Sequence, residues 1–115
     1  MLQDISIDAL QAAMHGLSAR EKAISNNIAN VNTPYFTARE VSFEDQLSRA
    51  LEAGEDPSTA GISARYTTDA AGLNGNNVDI NAQTLLGIET KMKMELALRA
   101  TGDRFTLMRS AVRGG

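Results

Sequence analysis

Apolar residues recur at alternating spacings of three and four in two stretches at opposite ends of the chain, and the stretch between them lacks that rhythm. The first stretch holds Ile7, Leu10, Met14, Leu17, Ile24, Ile28 and Val31, with Glu21 as the one polar interruption. This is the narrow seam of a helix that pairs with another helix, and it predicts a helix over 5–31. Asp4 or Ser6 offers an N-cap and Asp8 suits the positive end of the helix dipole. Pro34 stops the helix by pushing the residue before it out of the α region.

The second stretch predicts a long helix over 79–112, capped by Asp79 or Asn81. Met94, Leu98, Phe105, Met108 and Val112 form its seam, with Thr101 filling one slot. Leu85, Ile88 and Met92 keep the spacing but are displaced by one residue, so the apolar stripe drifts and its halves face different neighbours. Gly114-Gly115 predicts a frayed end. The middle, 32–80, contains a short helix over 42–53 (Phe43, Leu47, Ala50 and Leu51 on one side, Gly54 as stop). Thr37–Val41 and Ile62–Thr68 are candidate extended segments, and Asp56-Pro57 and Asn74-Gly75 are turn signals. A connection this long is unusual inside a compact unit, and it is expected to be mobile until partners cover it.

Two seamed helices bury their stripes against each other or against another chain. The expected fold class is therefore all-α: a single domain over 1–115, two long terminal helices paired as an antiparallel coiled-coil-like hairpin, and a short helix plus an irregular segment between them. Composition supports an elongated body over a globule. Of the 115 residues 17 are alanine and aromatics make up only 4%, so the large side chains that supply most buried apolar area are scarce.

The formal charge of −3 comes from interspersed acids and bases without a basic stripe, which argues against a nucleic-acid partner. There is no cysteine, which removes disulfides and thiolate metal sites. The start, Met1–Leu10, carries Asp4 and Asp8 and lacks the basic and apolar parts of a cleaved signal. The expectation is a cytoplasmic chain, or one exported without signal cleavage.

Chemistry-bearing groups are sparse. His15 is the only histidine, and a zinc site would need three carboxylates or carbonyls beside it. Glu44-Asp45 and Glu52, Glu55 and Asp56 have no activating partner and read as solvated faces. Residues 72–76 lack the lysine of a phosphate loop, and the Asn/Gly run before Asp79 lacks the closing glutamate of a calcium loop. Met92, Met94 and Met108 lie at helical spacing and read as packing residues. No catalytic, cofactor-binding or metal residue, no cofactor and no small-molecule substrate is expected.

The most distinctive feature is Asn26-Asn27-Ile28-Ala29-Asn30-Val31-Asn32-Thr33-Pro34-Tyr35-Phe36. Asparagine is a mediocre helix former because its amide competes for backbone groups, yet four occur within seven residues. Asn26 and Asn30 are one turn apart, on the back of the helix relative to Ile24, Ile28 and Val31. They are placed either to bond a neighbouring subunit or to form a solvated helix end and turn.

This run resembles the N-terminal signature of the flagellar basal-body rod protein family, carried here by Asn26, Asn27, Ala29, Asn30, Asn32, Thr33, Pro34, Tyr35 and Phe36. Tyr35 stands where that signature usually has glycine. Residues 37–44, 75–80 and 105–112 are similar to the proximal-rod, FlgB-type branch of the family. The resemblance implies a structural subunit of the proximal rod, not an enzyme. It also implies export by the flagellar type III apparatus without signal cleavage. The implied partners are other copies of the chain, other rod proteins, the export gate and membrane-ring components, and the signature residues would form a subunit interface. The rival reading is a small secreted helical hairpin that binds a partner protein. Such hairpins often carry a Trp-x-Gly turn, and this chain has no tryptophan.

Overall fold

The computed structural model describes residues 5–113. In order, the elements are α1 (Ile5–Ala29), β1 (Arg39–Ser42), α2 (Glu44–Glu52), a single 3₁₀ turn (Pro57–Thr59), β2 (Ser63–Tyr66) and α3 (Ile80–Val112). The body is elongated and thin, 65 × 26 × 14 Å. The expected caps at Asp4 and the frayed Gly114-Gly115 fall outside the described residues, and Ser6 lies within α1. Asp79 caps α3, its carboxylate accepting from the N–H groups of Asn81 and Ala82.

The all-α expectation is overturned. The middle segment contains a two-stranded antiparallel sheet in which Arg39 faces Tyr66, Glu40 faces Arg65 and Val41 faces Ala64. Directly opposed pairs are the stabilising unit of such a sheet, and here each is chemically matched. Arg39 lies over the Tyr66 ring at 4.7 Å and donates to its hydroxyl at 2.8 Å, and Arg65 pairs with Glu40 at 2.9 Å. Matches between residues 25 or more positions apart leave no trace in local periodicity, which is why a helical reading passes over them.

α1 and α3 lie side by side and antiparallel. Asn27, near the end of α1, meets Gln83, near the start of α3, while Leu10 and Leu17 border the same groove as Leu96 and Ala100. Of the seam expected in α1, Ile7, Leu17 and Ile24 are buried, while Leu10, Met14, Ile28 and Val31 are half-buried. In α3 the inner face differs from the expected stripe. Gln83, Gly87, Thr90, Met94, Ala97, Thr101 and Met108 hold the three–four spacing toward α1, with Thr90 and Ala97 buried.

Met94, Thr101 and Met108 are common to both registers. Leu98, Phe105 and Val112 are 57%, 46% and 70% exposed. The residues that meet α1 are mostly small, and Ile24 lies in van der Waals reach, 3.7 Å, of the place a side chain on Gly87 would begin. A reading that ranks positions by hydrophobicity selects the larger residues one step away. The polar members of the true face satisfy themselves: Thr90 and Thr101 each donate to the carbonyl one turn earlier at 2.7 Å, the usual solution for a buried helical hydroxyl.

The small core lies where the sheet and α2 meet the hairpin. Leu17, Val41 and Phe43 are buried together, flanked by Ala13, Ala19, Ala23 and Met94. Gly16 makes this possible. A Cβ at that position would land inside the Phe43 ring, so the glycine lets the ring press directly on the α1 backbone.

Candidate assembly surfaces

The hub that fixes the middle segment onto the hairpin is Arg20, a buried cation on α1. Its guanidinium donates to the Val41 carbonyl through Nε and Nη2 at 3.2 and 2.9 Å. It also grips Glu44 with two parallel bonds of 2.7 and 2.6 Å and lies 4.9 Å from the Phe43 ring centroid. A buried charge is tolerated only when paired and hydrogen-bonded, and Arg20 meets both conditions. The guanidinium bond holds the Glu44 carboxyl down to about 2, helped by the N–H groups of Glu44 and Phe43 and opposed by partial burial. The same bond raises the Arg20 pKa. Lys93 on α3 reaches Glu44 at 3.8 Å and Glu89 at 2.9 Å, so one carboxylate connects α1, α2 and α3.

A second tie is built of asparagine amides at the far end of the hairpin. Asn27, 1% exposed, accepts from the Arg39 N–H at 3.0 Å and donates to the Arg39 carbonyl at 2.9 Å and to Gln83 at 3.0 Å. It therefore clamps β1 and α3 to α1. Asn76 donates to the carbonyls of Asn30 and Thr33 at 2.8 and 2.7 Å and accepts from Val78 N–H at 2.8 Å. Asn77 accepts from the Ala38 N–H at 2.7 Å and donates to the Thr67 hydroxyl at 2.8 Å. Each amide supplies a donor and an acceptor within one planar group, which a charged side chain cannot do.

The signature residues divide accordingly. Asn27 is buried, and Asn30 and Phe36 are half-buried. Asn26, Ala29, Asn32, Thr33, Pro34 and Tyr35 are exposed. Asn30 is spent locally, donating to the Asn26 carbonyl at 2.8 Å and accepting from the Thr33 hydroxyl at 3.1 Å. Sequence reasoning missed Asn76, Asn77 and Gln83 as members of the tie, and missed Arg20, Gly16 and Glu44 as the hub. The clustering of Asn74, Asn76 and Asn77 was the only available signal for the former.

The turn itself is a type II turn. Pro34 occupies its second position, Tyr35 its third at φ 61°, and the Phe36 N–H closes it on the Thr33 carbonyl at 3.3 Å. Tyr35 thus adopts the left-handed conformation that a glycine would take without strain. Its N–H donates to the Asn74 carbonyl at 2.9 Å, and its ring edge rests on Gly75, where a Cβ would lie 2.5 Å from the ring.

Outside these ties α3 exposes several large apolar side chains among its charged ones. Leu85, Ile88, Met92 and Leu96 are all exposed; the spacing puts Leu85 and Met92 on the side of α3 away from α1, while Ile88 and Leu96 border grooves shared with α1. Beside them an open groove of about 530 Å³ runs between α1, α2 and α3, lined by Leu10, Leu47, Leu51 and Leu96 among others. His15 is exposed beside a separate, smaller groove bordered by Asp8 and Asp56. No helix among the described residues is long and apolar enough to cross a membrane.

The family model for the flagella basal body rod protein matches residues 7–37, which span nearly all of α1, the asparagine run and the type II turn. Over these residues the chain resembles the flagellar basal body rod proteins. It is 28% identical to the flagellar basal body rod protein FlgB of Bacillus subtilis, over 96% of this chain and 95% of that protein. It is 29% identical to FlgB of Borreliella burgdorferi, over 87% of this chain and 90% of that one, and 23% identical to FlgB of Salmonella typhimurium, over 97% and 96%. The likeness to these rod proteins therefore runs through the hairpin, the sheet and α3 as well as the signature.

Proposed function

We propose that this protein is a structural subunit of the proximal rod of the bacterial flagellar basal body and acts by assembly, not by catalysis. The observation that carries the reading is the coincidence of the rod-family match over residues 7–37 with a hairpin that leaves a second apolar stripe, Leu85 to Leu96, uncovered.

The mechanism is mechanical. Burial of Ile7, Leu17 and Ile24 on the inner side of α1, with the Arg20 and Asn27 ties, makes each subunit a stiff strut. The outer stripe, the groove beside α2 and the exposed part of the signature are left for lateral and axial neighbours, including other copies and other rod proteins. Contacts between unlike patches that do not close generate an open helical tube. Full burial of a large aliphatic side chain contributes about 1.5–3 kcal/mol, so torque is carried by many such contacts together. The chain reaches the rod by the flagellar export route without signal cleavage, and docks above the export gate and membrane ring.

Deletion with complementation tests this. The wild-type chain is expected to restore swimming and to co-purify with isolated basal bodies. A deletion strain that swims and retains intact rods would refute it.

A further inference from the structure

Asn74-Gly75 is the only asparagine–glycine pair in the chain. An asparagine carries a reactive carbonyl carbon, Cγ, within reach of the next residue's backbone nitrogen. A glycine in that next position has no Cβ to hold the two apart. Every other asparagine is followed by a residue with a side chain, β-branched at Ile28, Val31, Thr33 and Val78, and β-branching crowds the approach.

We propose that Asn74 is a deamidation site that folding keeps closed. In the reaction the Gly75 nitrogen gives up its proton and attacks Asn74 Cγ. A C–N bond forms, the Cγ–Nδ2 bond breaks, and the departing amide nitrogen takes up a proton and leaves as ammonia. Water then opens the cyclic imide at either carbonyl. One opening gives aspartate at position 74, and the other gives isoaspartate, in which the main chain runs through Cβ and Cγ. Water is the only co-reactant.

The fold restrains both reacting groups. The Gly75 N–H donates to the Gly72 carbonyl at 3.0 Å, and Asn74 Oδ1 accepts from the Asn76 N–H at 3.1 Å. A turn closed by the first of these bonds holds its third residue at ψ near about 0°, whereas the imide ring needs the next nitrogen swung over Cβ, roughly 120° away. That rotation would also pull the Asn74 carbonyl from the Tyr35 N–H, which it binds at 2.9 Å. The loop does not yield as a unit. Gly72 N–H donates to the Asn76 carbonyl at 2.9 Å, the Asn76 amide anchors the loop to Asn30 and Thr33, and the Tyr35 ring edge rests on Gly75. Asn74 itself is exposed, so these bonds, and not burial, withhold it from reaction.

The two products fit the loop differently. Aspartate keeps the main-chain path and an oxygen for the Asn76 N–H. Isoaspartate lengthens the main chain by one carbon and displaces the carbonyl that Tyr35 binds. A chain that ages while unfolded therefore loses the tie between the loop and the end of α1. This chemistry is independent of the rod assignment.

The purified full-length chain is held in mildly alkaline buffer, either native or unfolded in guanidinium chloride. It is digested at intervals, and mass spectrometry with fragmentation reads the conversion at each asparagine. In the unfolded chain Asn74 is expected to convert at least about tenfold faster than Asn76, Asn77 or Asn81, and Gly75→Ala is expected to remove that excess. In the native chain Asn74 is expected to convert at least about tenfold more slowly than in the unfolded one, because reaction waits on local opening. Asn76→Ala, which frees the loop from α1, is expected to speed native conversion at least about threefold while the helical circular dichroism is kept. If Asn76→Ala does not fold, guanidinium below the unfolding midpoint of the wild-type chain replaces it, and conversion is expected to rise before helicity falls. After refolding, the isoaspartyl product is expected to melt below the aspartyl one.

Equal conversion of Asn74 in native and unfolded chains would overturn the proposal. So would an unfolded chain in which Asn74 is no faster than its neighbours, or a folded Asn76→Ala chain that converts at the wild-type rate. Swimming scores the rod reading separately.

Discussion

Asn27→Ala isolates the clamp at the head of the hairpin. The substitution removes three hydrogen bonds, two of them to the backbone N–H and carbonyl of Arg39 and one to Gln83. Gln83 is half-buried and re-solvates at little cost. The Arg39 groups sit against a side chain that is only 1% exposed, and leaving a buried polar group unpaired costs about 1–3 kcal/mol. Two such groups give a loss of about 2–6 kcal/mol, a large share of the roughly 5–15 kcal/mol that holds a domain together.

Urea unfolding of the purified chain at pH 7, followed by far-ultraviolet circular dichroism, measures it. The midpoint is expected to fall while the slope stays constant. Asn26→Ala, one position away and exposed, is expected to change stability by less than about 0.5 kcal/mol. Asn27→Asp keeps the acceptor for the Arg39 N–H but turns a carboxylate toward the Arg39 carbonyl, so it should lose at least as much as Asn27→Ala. A loss below about 1 kcal/mol for Asn27→Ala, or equal losses at positions 26 and 27, would refute the idea that one buried amide fastens β1 and α3 to α1.

Gly16→Ala should destabilise the chain although alanine is the better helix former by about 1 kcal/mol, because its Cβ meets the Phe43 ring; pairing it with Phe43→Leu should recover part of the loss in the same melt. The Glu44 carboxyl, held at about 2 against an ordinary 4.5, contributes stability that is complete above pH 4.5 and is lost as pH falls toward 2. Glu44 is nearly half exposed, so screening limits the effect to about 1–2 kcal/mol, and Glu44→Gln should flatten this part of the stability–pH curve. On α3, Ala97→Asp should unfold the free subunit by placing a charge in the helix contact. Leu98→Asp should leave the melting temperature within about 2 °C yet abolish swimming, since Leu98 is 57% exposed. Equal melting losses for the pair would contradict the α3 register.

The two long helices and their approximate limits were legible because each depends on residues within one or two turns, although α1 ends at Ala29, ahead of the expected stop at Pro34. Ile7, Leu17 and Ile24 followed from periodicity for the same reason. The signature run could be tied to the rod family from its residues alone, and the match over 7–37 lies on it. Periodicity could not choose between two registers of α3 that share Met94, Thr101 and Met108. That choice depended on which positions α1 covers once the helices pack, with Thr90 and Ala97 buried, and no single helix encodes it. The sheet, the Arg20–Glu44 pair and the Asn27 clamp join positions from 12 to 56 residues apart. They exist only after the chain has folded back on itself, when a buried charge or amide must find its partner because water no longer serves.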